Sequence, residues 1–247
     1  MSAAHRPAVP TRALAPGYVV PRLIKGGWQL AGGHGTVDRT EAIADMMAFA
    51  ESGITAFDCA DIYTGVEELI GEFLCGWRER YGAAAPTMRV HTKCVPDRDA
   101  LPTLTRAELE RLIDRSLTRL GVDTLDLVQF HWWDYAQPRC VEALLHLKDL
   151  ALAGKIAHIA GTNFDAAHLA EFAAAGAPLT SIQVQYSLLD QLSKLQPLPH
   201  SLHRKVRAVQ EVMSRQPSAQ THWGHLWLRL VLTQPAVPGL CLMECRV

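Results

Sequence analysis

Asp58, Tyr63, Lys93, His131, Asn163 and Gln185 each stand at or just beyond the end of a short apolar run, and Trp28 stands near the end of another. The stretch TAFDCADIYTG, Thr55–Gly65, has the pattern most plainly: a buried-strand beginning that finishes on two aspartates and a tyrosine. The chemistry open to such a set is proton transfer by a tyrosine near neutral pH. A phenol of ordinary pKa, about 10, donates poorly there, and a neighbouring ammonium lowers that value. Lys93 can supply the charge, and Asp58 beside it would hold the ammonium protonated and fixed. His131 can hydrogen-bond to a substrate oxygen or to the phenol. Asp58 and Tyr63 are five residues apart, which allows one at a strand end and the other in the loop that follows. Singly, each residue also has a structural reading: an aspartate that caps a helix, a tyrosine packed in a turn, a histidine satisfied in the core. Together they form a chemical set.

The elements that must position them are short β-rich runs alternating with segments of helical period. The runs RLIKGGWQL, TAFDCA, RVHTK, LDLVQFH, KIAHIAGTN and SIQVQYS are each able to be buried on both sides. Between them, Asp38 predicts the N-cap and Gly53 the end of a helix over DRTEAIADMMAFAESG. Thr105 and Glu108 have capping-box spacing, and Gly121 follows the last turn of that helix. Repeated βα units predict a parallel sheet covered by helices. No GxGxxG follows the first strand, so a (β/α)8 barrel is preferred to an open dinucleotide-binding sheet. In a barrel the active site gathers at the C-terminal strand ends, where this polar set falls.

Composition narrows the function classes. With 247 residues, 49% hydrophobic and 20% charged, the chain can bury a large core in one domain. A formal net charge of -1 gives no electrostatic footprint for nucleic acid or an anionic membrane. Six cysteines without CxxC spacing point to reduced thiols in a cytoplasmic protein. No apolar run approaches the roughly 20 residues of a membrane span, and no apolar secretion segment opens the chain. Residues 1–20, rich in Ala and Pro, predict a flexible leader; their prolines argue against the amphipathic helix of a transit peptide. His200 with His203 and His222 with His225 form HxxH pairs, but neither has an acidic or cysteine ligand at recognisable spacing, so no metal site is expected.

FDCADIY, VHTK and DLVQFHWWD resemble, in order and spacing, the strand-two, lysine and histidine motifs of the aldo-keto reductase family. The resemblance implies a (β/α)8 barrel that uses NADP(H) on a small-molecule carbonyl or alcohol substrate. It makes Asp58, Tyr63, Lys93 and His131 a catalytic tetrad with Tyr63 as general acid. Asp61 lies outside the tetrad, with a role in ordering the loop. AGTNF is similar to the segment that binds the nicotinamide carboxamide, which implies that role for Thr162 and Asn163, and for Gln185 in QVQYSLLD. Trp28, Trp132 and Trp133 are implied to line the substrate pocket, the adjacent pair having the alternative of packing on opposite sides of the chain.

The resemblance is clear over 22–190, diverges over 191–220 and returns in part over 221–247, within a single domain from 21 to 247. LRLVLTQPAVPGLCLMECR resembles a helix and strand near the family's C-terminus, while no seventh strand is legible before it. The expectation is an incomplete barrel of about seven strands, with an internal deletion and a shortened nucleotide-binding end. Arg204, Lys205 and Arg207 are either replacement phosphate contacts or a solvated helix face. Cys241 and Cys245 read as packed thiols. Two functions follow: NADPH-dependent carbonyl reduction (or its reverse), and a non-catalytic barrel that binds or regulates.

Overall fold

The computed structural model describes residues 9–32, 35–186, 228–233 and 240–242. An antiparallel hairpin, β1 (Thr11–Ala15) and β2 (Tyr18–Pro21), precedes the main sheet. There follow β3 (Lys25–Gly26), α1 (Arg39–Glu51), β4 (Ala56–Asp58), α2 (Val66–Tyr81), β5 (Arg89–Cys94) and α3 (Arg106–Leu120). Then come β6 (Leu127–Phe130), α4 (Cys140–Leu152), β7 (Ile159–Thr162), α5 (Ala166–Ala174), β8 (Ser181–Tyr186), β9 (Leu228–Thr233) and β10 (Leu240–Leu242). Strands β3 to β8 lie side by side in chain order and all parallel, each joined to the next through a helix. This is the incomplete (β/α)8-type barrel expected from the alternating pattern. Among the described residues β10 and β3 are the two ends of the sheet.

Local chemistry explains the boundaries. Asp38 accepts a hydrogen bond from the Glu41 amide at 2.9 Å and opens α1; Gly53, with φ of 94°, lets the chain turn after it. Thr105 and Glu108 form the reciprocal capping box of α3, and Gly121 caps its other end in the left-handed region.

Two corrections concern the ends. Residues 11–20 are not a flexible leader: Leu14, Tyr18 and Val20 bury against Ala56, Leu127 and Ala160, closing the N-terminal end of the barrel. LRLVLT is not a helix but β9, paired antiparallel to β8 from Ser181↔Thr233 to Tyr186↔Leu228, and β10 returns along it. The pairing satisfies the backbone edge of β8, which a helix would leave bare. The HxxH pairs, Arg204, Lys205, Arg207 and Cys245 lie outside the described residues.

Period-two alternation sorts each parallel strand between helices and barrel interior. On β5, Val90 and Cys94 join the helix-side core and Thr92 reaches Glu67 of α2, whereas His91 and Lys93 turn inward. On β6, Val128 and Phe130 pack outward, while Leu127 and Gln129 face in.

Candidate active site

The inward residues at the C-terminal strand ends meet. Lys93 Nζ donates to Asp58 Oδ2 at 2.7 Å and to the Cys59 carbonyl at 2.8 Å. Asp58 Oδ1 accepts from Gln129 Nε2 at 2.7 Å and from Gln183 Nε2 at 3.0 Å. Both members of the ion pair are 5% exposed. A buried pair this well supplied with hydrogen bonds is tolerated, whereas removing one partner typically costs about 3–5 kcal/mol. Lys93 Nζ also lies 5.4 Å from the centre of the Tyr63 ring. Tyr63 reaches that position because its amide donates to the Ala60 carbonyl at 3.0 Å, closing a tight turn directly after β4.

His131 follows β6, its amide donating to the Cys94 carbonyl at 3.1 Å, and its ring meets Trp133 edge-on with centroids 4.5 Å apart. Burial lowers the imidazole pKa below its ordinary value, and the Lys93 charge lowers it further against a backbone hydrogen bond with Thr162. The ring is therefore neutral near pH 7, able to donate at one nitrogen and accept at the other.

Asn163 has φ of 63°, a region asparagine tolerates better than most residues. Its amide donates to the Gln183 carbonyl at 2.8 Å, and the Asn163 carbonyl accepts from Tyr135 Oη at 2.9 Å. A cavity of about 200 Å³ is lined by Tyr63, Lys93, His131, Thr162, Asn163 and Gln183, with Ile62, Val95 and Trp133 supplying apolar surface. Asp58 stands behind Lys93 and does not line it. A larger cavity, about 320 Å³, lies at the opposite end of β5 and β6 between Trp77, Met88 and Leu125, away from every residue of the set.

Two expected residues fall elsewhere, and a third has a side chain outside the described residues. Trp132 is not a pocket residue: it is 3% exposed, packs on Phe130 at 5.8 Å and donates Nε1 to the Gln137 carbonyl at 3.3 Å. Adjacent residues point to opposite sides, so only Trp133 of the pair reaches the cavity. Trp28, 38% exposed, sits in the 3-10 turn Trp28–Ala31 and is outside the cavity lining among the described residues. Gln185 is in β8, but its side chain lies outside the described features. Gln129 and Gln183 were not singled out by sequence, and QVQ itself gives no reason to prefer one glutamine over the other.

The aldo/keto reductase family pattern matches residues 22–209. The aldo-keto reductase YhdN of Bacillus subtilis is 30% identical over 196 residues, covering 77% of this chain and 57% of that protein. The NADH-specific methylglyoxal reductase of Escherichia coli is 30% identical over 200 residues, covering 72% and 59%. The chain thus spans less than two thirds of the length of these curated relatives. The solved aldo/keto reductase of Brucella melitensis aligns with a TM-score of 0.60 at 25% identity, covering 81% of this chain and 70% of that one. The thermostable aldo-keto reductase Tm1743 shares the fold, with a TM-score of 0.61 at 24% identity over 83% and 80% of the two chains. A family pattern extending over most of the sequence, on a parallel strand-helix frame shared with solved members, establishes that the chain belongs to the aldo/keto reductase family.

Proposed function

We propose that this protein is a cytoplasmic oxidoreductase that reduces an aldehyde or ketone to an alcohol, or runs the reverse reaction, with NADPH as coenzyme and Tyr63 as general acid. The observation that carries this reading is one cavity lined by Tyr63, Lys93 and His131, with Lys93 locked by buried Asp58. Tyr63 gives the proton at its Oη to the carbonyl oxygen. The Lys93 ammonium favours the phenolate left behind, and Asp58, Gln129 and Gln183 hold the lysine in place. His131 lines the same cavity and, in the neutral tautomer whose proton sits on the nitrogen turned away from Thr162, donates to the same carbonyl oxygen and orients it.

A primary carboxamide presents one acceptor and two donors. Thr162, Asn163 and Gln183 carry both kinds of partner beside the proposed acid, so the donor set fits the nicotinamide end of the coenzyme. Gln183 joins Thr162 and Asn163 in this lining, and Gln185 is kept as a further candidate for the carboxamide. Bound there, the nicotinamide supplies the hydride. Relatives named for NADP(+), the Schizosaccharomyces pombe aldo-keto reductase yakc at 29% identity, and for NADH, the E. coli enzyme, make both coenzymes part of the test. The unpaired thiols of Cys59, Cys75, Cys94 and Cys140 suit a reducing compartment, and no described helix is long and apolar enough to cross a membrane.

The test is a titration of the protein with NADPH and with NADH, followed by tryptophan quenching, and then a screen of carbonyls for coenzyme oxidation. Tyr63→Phe is expected to lose about 10²- to 10⁴-fold in reduction rate while keeping its coenzyme affinity. A variant that turns over at the parent rate removes the mechanism.

A further inference from the structure

Asp61 is a buried carboxyl that the reaction above does not use. It occupies the second position of the turn that ends on Tyr63, and its main chain is held on both sides: its amide donates to the Lys93 carbonyl at 3.3 Å, and its carbonyl accepts from Arg119 Nη1 at 3.0 Å. Its Oδ2 accepts from the Val95 amide and from Arg115 Nη2, both at 3.4 Å. Oδ1 is enclosed and has no hydrogen-bond partner among the described residues. One residue therefore grips the main chain at Lys93 and at Val95 while sharing a four-residue turn with Tyr63. The grip is long and incomplete, which is the arrangement a change of charge can tighten or release.

We propose that Asp61 is a positioning residue whose carboxyl, by gaining or losing a proton in place, sets how the Tyr63 turn sits against Lys93 and thereby tunes proton transfer. This rests on the reduction reading above. The ionised carboxylate draws the Val95 amide and the Arg115 guanidinium inward and holds the turn against β5. The neutral acid loses that pull, and the turn relaxes.

The groups facing Asp61 make such an exchange accessible. Burial pushes its carboxyl up to about 7, and the negative charge of Glu67 adds to this, against the Val95 and Ile62 amides and Arg115. From α2, Glu67 is fully buried and accepts from Thr92 Oγ1 at 2.6 Å, while Glu68 pairs with Arg119 at 3.0 Å. From α3, Arg119 divides itself between these two glutamates, and Arg115, with 43% of its side chain exposed, is free to follow the charge of Asp61. On β5, the Cys94 thiol is pushed well up by burial and by Asp61, so it stays neutral, while Lys93 is committed to Asp58.

The experiment is the pH profile of kcat and KM for the parent, Asp61→Asn and Arg115→Gln, paired with the pH dependence of the Tyr63 ring signals in a ring-labelled protein without coenzyme. The parent is expected to show an inflection near pH 7 in kcat and in the Tyr63 signals. Asp61→Asn should abolish both and lower kcat about tenfold above that pH, with KM and coenzyme affinity unchanged. Arg115→Gln removes the facing cation from an exposed position and should move the inflection to higher pH. An inflection that persists in Asp61→Asn, or that Arg115→Gln leaves unmoved, overturns the proposal; if Asp61→Asn does not fold, the Arg115→Gln shift decides alone. A parent that reduces no carbonyl overturns the reduction reading instead, and the Tyr63 signals then judge Asp61 independently.

Discussion

Lys93 links the buried carboxylate of the site to its phenol. Its ammonium is bonded to Asp58 and to the Cys59 carbonyl and lies over the Tyr63 ring, so its charge is delivered to the phenol from a fixed point. Lys93→Met keeps the aliphatic stem and removes the charge. The expected outcome is that the pH dependence of reduction leaves the neutral range, accompanied by a stability loss of about 3 kcal/mol because Asp58 is left buried without its cation. A profile that superimposes on the parent's would take lysine out of the assigned role. At this scale the gathering of Asp58, Tyr63, Lys93, His131 and Asn163 was legible because each stands at or just beyond the end of an apolar run, and Thr162 because AGTNF resembles a family segment. Gln183 and Gln129 were not, because their importance lies in a hydrogen bond to Asp58 across 125 and 71 residues of sequence, and nothing local announces it. Trp132 and Trp133 show the converse: residue type suggested a pocket for both, and the direction of the chain decided between them.

Elements meet with little room to spare where α2 crosses the end of α3. A Cβ built on Gly71 would lie 2.4 Å from the Arg119 carbonyl oxygen and 3.2 Å from the Leu120 carbonyl carbon. Alanine normally improves a helix by about 1 kcal/mol over glycine, but here it meets backbone, which cannot swing away. Gly71→Ala is expected to lower stability by about 1–3 kcal/mol in urea unfolding, the clash outweighing the propensity; a variant as stable as the parent would show that α2 can lift away freely. Caps and βα order were readable because Asp38, Thr105 with Glu108, and Gly121 act within one helical turn of themselves. LRLVLT was misread because six apolar-rich residues satisfy either period, and the deciding partner, β8, is more than 40 residues earlier. The hairpin was missed although Pro16-Gly17 is a turn signal and Gly17 does take φ of 75°; Ala and Pro content masked it, and its packing partners lie far along the chain.

Across the whole molecule, two buried titrations run in opposite senses. His91, fully enclosed between the barrel interior and Tyr18, is pushed by burial down to about 4. The unfolded chain therefore binds a proton there first, and stability falls by about 3 kcal/mol as pH drops from 6.5 to 4. Asp61, pushed up to about 7, works the other way: the folded chain holds its proton, and stability is lost as pH rises from about 4 to 7. The two slopes oppose each other over most of that range. In Asp61→Asn the opposing slope of Asp61 is gone, so the unfolding free energy from urea titrations should climb from pH 4 to 6.5 by roughly 2–3 kcal/mol more than in the parent. Parallel curves for the two proteins would remove Asp61 from this balance.

The hairpin at the N-terminal end of the barrel has a consequence for the order of assembly. Leu14, Tyr18 and Val20 leave the ribosome before any parallel strand exists, yet the surfaces they cover belong to residues 56, 127 and 160, and the hydroxyl of Tyr18 waits for His91. The hairpin can thus dock in full only after residue 160 has emerged. Until then its apolar side chains are available to whatever meets the nascent polypeptide.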